Sequence, residues 1–387
     1  MGMKPKQGSN RSIFEEVATT EKAPAAQPGA IDRGRTDARG AIRVWLMILF
    51  ALVAVIIAVG GMTRLTDSGL SITEWAPISG AVPPLSAEDW EAEFAAYRAI
   101  PEYQMQNRGM TLAEFKVIYW WEWGHRQLGR VIGLVWALGF AGLLAFRAMP
   151  RGWTGRAALL GALGGLQGAI GWWMVSSGLA PGMLDVASYR LAVHLGLAFL
   201  ILALIAWYVL QLGREEAELM AARREGDRRL KGMATGVLHL SFLQILIGAL
   251  VAGIDAGRNY PDWPLMAGGF TPPGMWALEP WWRNLFENDG TVQFIHRIVG
   301  YMLLLVAAAA WFAGRRSART VTRGAFHAMM LMMVLQVLLG IVTVIYSAPW
   351  YFAILHQFGA VVLIVLILRA RFYAMYPMRQ SVRGAAA

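Results

Sequence analysis

Four of the six histidines recur at matching positions in the two halves of the chain. His125 aligns with His296 at an offset of 171 residues, and His194 aligns with His356 at an offset of 162. Two imidazoles that face each other inside a helical bundle are a good axial pair for haem iron. Because the chain has no cysteine, thiolate ligands and disulfides are excluded. The histidines therefore predict one bis-histidine haem site in each half, with hydrogen-bonded helix packing as the alternative.

The other two histidines lack such partners. The residues that align with His239 and His327 are Ala51 and Ala158. Both histidines also lie toward the cytoplasmic ends of their predicted helices, away from the repeated four. We therefore interpret His239 and His327 as structural.

An arginine follows one histidine of each predicted site. Arg126 and Arg297 lie in apolar sequence, where an unpaired guanidinium is costly and an anionic partner is expected. The two propionates of haem suit an arginine, which binds carboxylates in a bidentate fork. Both arginines are therefore predicted to bind the cofactor. The alternative is that they reach the membrane interface or pair with protein carboxylates.

One carboxylate distinguishes the two predicted sites. Glu122 precedes His125 by three residues and so shares its helix face, whereas the aligned residue in the second half is the neutral Gln293. An electron carrier with two equivalent sites has no need of this acid. Glu122 is predicted to relay protons or to stabilise positive charge during an oxidation. An ion pair with Arg126 is compatible with either role.

Eight apolar segments are predicted to position these residues. Hydrophobic residues make up 57% of the chain and charged residues only 16%, and the charges are concentrated between segments long enough to span a membrane as helices. The fold class is therefore an all-α integral membrane protein surrounded by the lipid bilayer. The predicted spans are 44–62, 117–146, 157–177, 191–212, 233–254, 291–313 and two within 324–368, divided at Ser347, Ala348 and Pro349.

Charge sets the orientation of these spans. Most of the 35 lysines and arginines fall in the two tails and in alternate connectors, which the positive-inside rule places in the cytoplasm. Both termini are therefore predicted to be cytoplasmic, with the four repeated histidines near the outer face. The net charge of +10 follows from this bias and does not indicate a nucleic-acid partner. Two long segments face outward, named here the first outer connector (63–116) and the second outer connector (255–290).

An internal repeat divides the chain into two halves. Asp67 and Trp75 align with Asp255 and Trp263 at an offset of 188 residues, and four spans return the chain to its starting side. The halves are thus predicted to be two pseudo-symmetric four-helix bundles related by an axis along the membrane normal. The predicted organisation is a disordered cytoplasmic tail (1–40), an N-terminal half (41–213), a cytoplasmic linker (214–232), a C-terminal half (233–372) and a second tail (373–387).

Several motifs resemble those of haem A synthases, and they fall in that family's order over about residues 40–370. The segment 122–130 (EWGHRQLGR) resembles the family's signature around its first histidine, and 60–71 (GGMTRLTDSGLS) resembles the exit of its first helix. The segments 294–300 (FIHRIVG) and 355–359 (LHQFG) resemble its second-half motifs. The long first outer connector and the tails are similar to those of the branch shared by alphaproteobacteria and mitochondria. Many relatives carry a cysteine pair in an outer connector, which this chain lacks.

The resemblance implies an oxidoreductase with two unlike haem sites. Such enzymes oxidise the C8 methyl group of haem O to the formyl group of haem A, which supplies cytochrome oxidase. The family's C-terminal half holds haem b, which is implied here between His296 and His356. The substrate haem O then lies between His125 and His194, with Glu122 at the catalytic position.

The resemblance also implies a location and partners. It places the protein in the cell inner membrane, with the haem sites toward the extracytoplasmic side. Haem O synthase, a farnesyltransferase, is the expected donor of the substrate. Electrons are expected to leave through haem b to an acceptor that the sequence does not reveal, and a homo-oligomer is one option for the assembly.

Two other functions compete with this interpretation. One is a bis-histidine membrane cytochrome b that only carries electrons, and Glu122 counts against it. The other is a transporter, which a parallel repeat favours but which would show helices broken near the membrane midplane. The position of the histidines near the outer face counts against transport. Haem O or haem A bound in the purified protein would decide between these functions.

Overall fold

The structure is a computed structural model that describes residues 2 and 33–379. The α-helices are, in chain order, α1 (Arg33–Leu65), α2 (Ala87–Arg98), α3 (Pro101–Met105), α4 (Leu112–Ala145), α5 (Trp153–Gly178), α6 (Ser188–Leu212), α7 (Glu216–Arg224), α8 (Arg228–Gly253), α9 (Ala256–Asn259), α10 (Asn284–Glu287), α11 (Asp289–Gly314), α12 (Thr320–Ile345) and α13 (Trp350–Met375). Eight of them, α1, α4, α5, α6, α8, α11, α12 and α13, are long and apolar enough to cross a membrane. The predicted all-α membrane architecture with eight spans is confirmed.

The long uncharged stretch in the C-terminal half is divided where the sequence predicted. Helix α12 ends at Ile345 and α13 begins at Trp350. Between them, Ser347 and Ala348 adopt the left-handed region, with φ of 59° and 51°, which an α-helix does not contain. Pro349 then precedes α13, where its missing N–H costs the helix no hydrogen bond. The division into two spans is therefore confirmed.

Helix α4 begins earlier than its apolar stretch suggests. Thr111 and Glu114 form a capping box, in which the Thr111 hydroxyl accepts from the Glu114 N–H and the Glu114 carboxylate accepts from the Thr111 N–H. The added turns project into the first outer connector. The sequence predicts all four repeated histidines within about the first two turns of their helices. His125 instead lies roughly 20 Å along the axis from the start of α4, about twice as far as the other three from theirs, so the prediction is wrong for His125.

The spanning helices pack as two adjoining groups of four. In the first, α1 and α5 each contact both α4 and α6; in the second, α8 and α12 each contact both α11 and α13. Helices α1 and α6 meet α13, and α6 also meets α8, so these four helices form the centre of the molecule. The main apolar core runs across this boundary, from Leu46 and Leu202 to Ile364. Such close packing drives helix association in lipid. The contacts agree with two bundles, and their symmetry axis stays a prediction.

Short helices lie in the segments predicted as connectors. Helices α2 and α3 belong to the first outer connector, α9 and α10 to the second, and α7 to the linker 214–232. Helix α1 begins at Arg33, inside the predicted tail 1–40, and α13 ends at Met375, inside the predicted tail 373–387. The rest of both tails, apart from residues 2 and 376–379, lies outside the described residues. The cytoplasmic location of the termini also stays a prediction.

A buried carboxyl group lies in the first outer connector. Glu102 is only 3% exposed, and its Oε1 accepts from the Tyr97 hydroxyl at 3.1 Å and from the Asn107 amide at 3.2 Å. Burial raises the pKa of Glu102 to about 8. Phe94 and Phe115 stack beside this group with ring centroids 5.0 Å apart. The connector is thus a packed structure on top of α4 rather than a loose loop.

Candidate active site

Each repeated histidine rests against a glycine on the preceding spanning helix. A Cβ built on Gly60 would lie only 2.8 Å from Cε1 of His125, closer than carbon atoms pack. Three further pairs repeat this arrangement at 2.9, 3.1 and 3.0 Å: Gly171 with His194, Gly248 with His296 and Gly340 with His356. The absent side chains therefore let each imidazole approach a neighbouring helix backbone inside its group of four helices.

His296 and His356 face each other across the second group of helices. Their ring centroids are 6.5 Å apart, with an interplanar angle of 79°. Two imidazoles that share one iron, each with a metal–nitrogen bond of about 2.0 Å, have ring centroids roughly 6 Å apart. The pair therefore has the separation that a shared axial iron requires.

His125 and His194 form the equivalent pair in the first group of helices. They lie on α4 and α6, which both pack against α1, and each rests against a glycine of the preceding spanning helix. The Nδ1 atom of His125 is buried and has no hydrogen-bond partner among the described residues. A buried polar atom without a partner is rare and needs an explanation, such as a ligand or an ion. The donor chemistry of this pair fits a haem iron.

Three glutamines that the sequence analysis did not single out hold three of the histidines. The amide nitrogen of Gln167 lies 3.1 Å from Nδ1 and 3.0 Å from the carbonyl oxygen of His194. The same arrangement recurs twice, with Gln244 on His296 and Gln336 on His356. The alignment of Gln167 with Gln336 in the repeat was the signal that could have found them.

Glu122 is fully buried and fully hydrogen-bonded. Its Oε2 accepts from the Ser71 hydroxyl and from the Ile72 N–H, both at 2.8 Å. Its Oε1 accepts from Nε and Nη2 of Arg126 at 3.1 and 2.6 Å. These donors match the lone pairs of an ionised carboxylate. The ion pair with Arg126 that the sequence allowed is therefore present, and it fixes a carboxylate three residues ahead of His125.

The arginines that follow His125 and His296 bind the outer connectors. Arg126 donates to the carbonyl oxygens of Ile72 at 2.7 Å and Glu74 at 2.9 Å. Arg297 donates to two carbonyls of the second outer connector and, at 2.9 Å, to Gln293 Oε1. Each arginine thus ties a connector to the helix that carries a histidine. Binding of haem propionates by these arginines stays a prediction.

Arg64 joins the two halves at their outer ends. It forms ion pairs of 2.9 Å with both Asp67 and Asp255, and Asp185 lies 3.8 Å away. Asp67 and Asp255 occupy the same turn in the repeat, each in the left-handed region with φ of 48° and 52°, which aspartate tolerates better than most residues. The turn thus recurs in both halves, but the residue that the repeat aligns with Arg64 is Ala252. Arg64 therefore serves both copies of the turn, and Arg258 adds a longer contact of 3.5 Å to Asp255.

One of the two remaining histidines has a clear structural contact. The indole N–H of Trp311 donates to Nδ1 of His327 at 2.9 Å. The contact joins α11 to α12 near the helix ends opposite the repeated histidines. It agrees with the structural interpretation of His327, and that of His239 stays a prediction.

Comparison with known proteins identifies the family. The profile of the cytochrome oxidase assembly protein family matches residues 43–368. The heme A synthase of Jannaschia sp. (strain CCS1) is 71% identical over 377 residues, which cover 97% of this chain and 99% of that protein. The chain belongs to the haem A synthase family. The heme A synthases of Dinoroseobacter shibae and Ruegeria pomeroyi are 68% and 66% identical, each over 97% of this chain and over 99% and 100% of their own lengths.

Membership of the haem A synthase family confirms the resemblance drawn from the motifs. The family match spans all eight membrane helices almost completely, from α1 to α13. It also includes all four repeated histidines and Glu122. The residues of the two pairs are therefore part of the region that this chain shares with the family.

Proposed function

We propose that this member of the haem A synthase family is the oxidoreductase that converts the C8 methyl group of haem O to the formyl group of haem A. One observation carries the proposal: a heme A synthase aligns with 97% of this chain at 71% identity. The alignment covers 99% of that relative, so nearly all of the relative's chain has a counterpart here. The product would serve the assembly of cytochrome oxidase, the process after which the matching protein family is named.

In this proposal, haem b lies between His296 and His356. The ring separation of 6.5 Å supports a shared iron, and both rings are oriented by glutamine amides. In this half the residue that aligns with Glu122 is the neutral Gln293, whose amide donates to the carbonyl oxygen of Ala256 at 2.8 Å. When bound, haem b supplies the one-electron chemistry that carries electrons from the substrate to an acceptor outside the chain.

The substrate haem O lies between His125 and His194 in the first half. The alignment of this pair with His296 and His356, and the glycine beneath each of its rings, support a ligand here. Glu122 places a buried carboxylate on the same face of α4 as His125. Converting a methyl group to a formyl group withdraws four electrons from the substrate. A fixed carboxylate stabilises the positive charge that develops in such a step because its donors already hold it in place.

Arg126 and Arg297 are proposed to bind the propionates of the two haems. Each guanidinium lies one residue after an iron-binding histidine, on the side of the outer connector. Arg297 has a buried Nε atom without a partner among the described residues, so it has a donor to offer a propionate. Arg126 would exchange a connector carbonyl for the stronger carboxylate acceptor.

The location and partners follow from the same proposal. The bias of lysine and arginine toward alternate connectors supports an orientation with the haem sites toward the extracytoplasmic side, and the cell inner membrane is the location that the family resemblance implies. Because haem O is apolar, its donor is expected to be a membrane enzyme that attaches the farnesyl group, a haem O synthase. All residues of the two proposed sites come from one chain, so neither the electron acceptor nor a homo-oligomer is needed to complete them.

The test is the production of haem A in a membrane that makes haem O. The full-length protein is expressed in a host that synthesises haem O but no haem A, and the haems extracted from the purified protein are identified by mass. We expect haem A and haem b, and the same host without the protein should contain no haem A. Protein that yields only haem b, although haem O is present, would contradict the proposal and favour the electron-carrying cytochrome.

A further inference from the structure

The histidines of the two pairs differ in how firmly their rings are held. We use the name amide clamp for a glutamine whose side-chain nitrogen contacts both the ring and the carbonyl oxygen of a histidine. The three amide clamps are Gln167 on His194, Gln244 on His296 and Gln336 on His356. Iron bound to Nε2 leaves the ring proton on Nδ1, so the clamp of the iron-bound state is Nδ1–H donating to the amide oxygen, which has no partner among the described residues in any of the three clamps.

The clamps follow a simple spacing. Each glutamine precedes by four residues the glycine on which its histidine rests, so both lie on one helix face. The glycine beneath His125 is Gly60, and the residue four positions before it is Ile56. The repeat offset of 188 residues aligns Ile56 with Gln244. The fourth clamp position is therefore present in the fold, but its side chain cannot form a hydrogen bond.

The consequence is visible at His125. Its Nδ1 atom is buried without a partner among the described residues, whereas Nδ1 of His296 lies 3.2 Å from the Gln244 amide. Ile56 and Gln244 occupy equivalent places, since a Cβ on Gly129 would lie 3.8 Å from Ile56 Cδ1 and a Cβ on the aligned Gly300 would lie 3.2 Å from the Gln244 amide nitrogen. The missing clamp is thus a difference in side-chain chemistry and not in backbone shape.

We propose that the amide clamps are positioning residues that keep three histidines turned toward iron, and that Ile56 leaves His125 as the histidine that releases it. The inference rests on the proposed function, in which the first half exchanges haem O for haem A at every turnover. A ligand whose orientation no hydrogen bond fixes dissociates more readily, because ligand dissociation then breaks no second interaction. In the second half both histidines have an amide clamp, which suits a haem that remains bound during turnover.

The experiment exchanges the two aligned residues between the halves. Ile56→Gln adds a clamp to His125, and Gln244→Ile removes one from His296, while Ile56→Leu keeps position 56 apolar as the matched control. The full-length variants are purified with both haems bound. Transfer of each haem to excess apomyoglobin is followed by absorption, and binding of carbon monoxide to the reduced protein reports an iron whose histidine has left.

We expect wild-type protein to lose haem and bind carbon monoxide only in the first half. Ile56→Gln should slow both processes about tenfold, the effect of one or two hydrogen bonds, and Ile56→Leu should match the wild type. Gln244→Ile should make the second haem bind carbon monoxide. The retained b-type absorbance of Ile56→Gln shows that this variant is folded, and Gln244→Ile tests the proposal independently.

Two contrary results are distinguishable. If both halves hold haem but Ile56→Gln and Gln244→Ile leave haem transfer and carbon monoxide binding unchanged, the clamp proposal is overturned and the haem A synthase function stands. If folded wild-type protein holds no haem in either half, the proposed function fails and the clamp proposal fails with it.

Discussion

The N-terminal and C-terminal halves place glycine-backed histidine pairs on the same scaffold, yet they surround these pairs with different residues. In the C-terminal half, both histidines carry amide clamps, and the neutral Gln293 lies beside His296. In the N-terminal half, only His194 is clamped, and the charged Glu122 lies beside His125. In the proposed function, this difference gives a duplicated bundle two tasks: the backbone repeats, while single side chains decide whether a haem is retained or changed.

The largest expected effect comes from removing one histidine of each pair. His296→Ala should abolish the b-type absorbance of the purified protein, since the iron loses one of its two ligands. His125→Ala should keep that absorbance and lose haem A formation. Absorption spectra and haem extraction measure both outcomes. A normal b-type spectrum in His296→Ala, with its loss in His125→Ala, would reverse the roles of the two halves.

The next effect concerns the carboxylate that only one half possesses. Glu122→Gln gives the first half the amide of the second, and haem A formation should fall about 100-fold while haem b is retained. The matched variant Gln293→Glu should still form haem A. Its haem b should have a more negative reduction potential, because a nearby negative charge stabilises the oxidised iron. Haem A production at the wild-type rate by Glu122→Gln would remove the catalytic role of this acid.

A smaller difference is expected at the glycines beneath the histidines. In Gly248→Ala the new methyl group lies 3.1 Å from Cε1 of His296, whose ring the Gln244 clamp keeps from turning aside, so haem b content should fall. In Gly60→Ala the contact is 2.8 Å, but the unclamped His125 can turn away. That variant should keep haem b and form haem A a few-fold more slowly. Equal losses of haem b in both variants would argue that the clamps do not hold the rings.

The smallest effect extends the comparison to the outer connectors. The first buries the acidic Glu102, whereas the second buries the neutral Asn284. Since burial raises the pKa of Glu102 from 4.5 to about 8, the folded protein keeps a proton that the unfolded chain releases between these values. Its contribution to stability is therefore greatest below about pH 4.5 and falls as the pH rises toward 8.

The variant Glu102→Gln should flatten this pH dependence, which thermal unfolding of the detergent-purified protein between about pH 5 and 8 would measure. Glu91→Gln, at an exposed position on α2, serves as the matched control and should leave the slope as in the wild type. An identical slope for Glu102→Gln and the wild type would show that the buried carboxyl group does not control it.

The sequence predicted the parts of this molecule that depend on runs of similar residues. Apolar length located all eight spans, and Pro349 located the break between the last two. The start of α4 was missed because its cap, Thr111, lies outside the apolar stretch. The repeat aligned the four histidines, each of which rests against a glycine in the structure, and the ring centroids of His296 and His356 lie 6.5 Å apart.

The amide clamps could not be predicted as contacts from the sequence. Gln167 and His194 lie on different helices, so their contact depends on how α5 and α6 are rotated and shifted against each other. Apolar periodicity defines the faces of a helix but not this side-chain register. Once the structure shows one clamp, the repeat explains the others and makes the exception at Ile56 visible.

The guanidinium of Arg64 has a consequence for any attempt to separate the halves. It is only 13% exposed and neutralises an aspartate from each half at 2.9 Å, and the second copy of the turn has Ala252 in its place. A C-terminal fragment expressed alone would therefore leave Asp255 without this counter-ion. Arg258 still lies 3.5 Å from Asp255, and the apolar core joins the halves, so co-expressed fragments should still reassemble, but more weakly, when the partner fragment lacks Arg64.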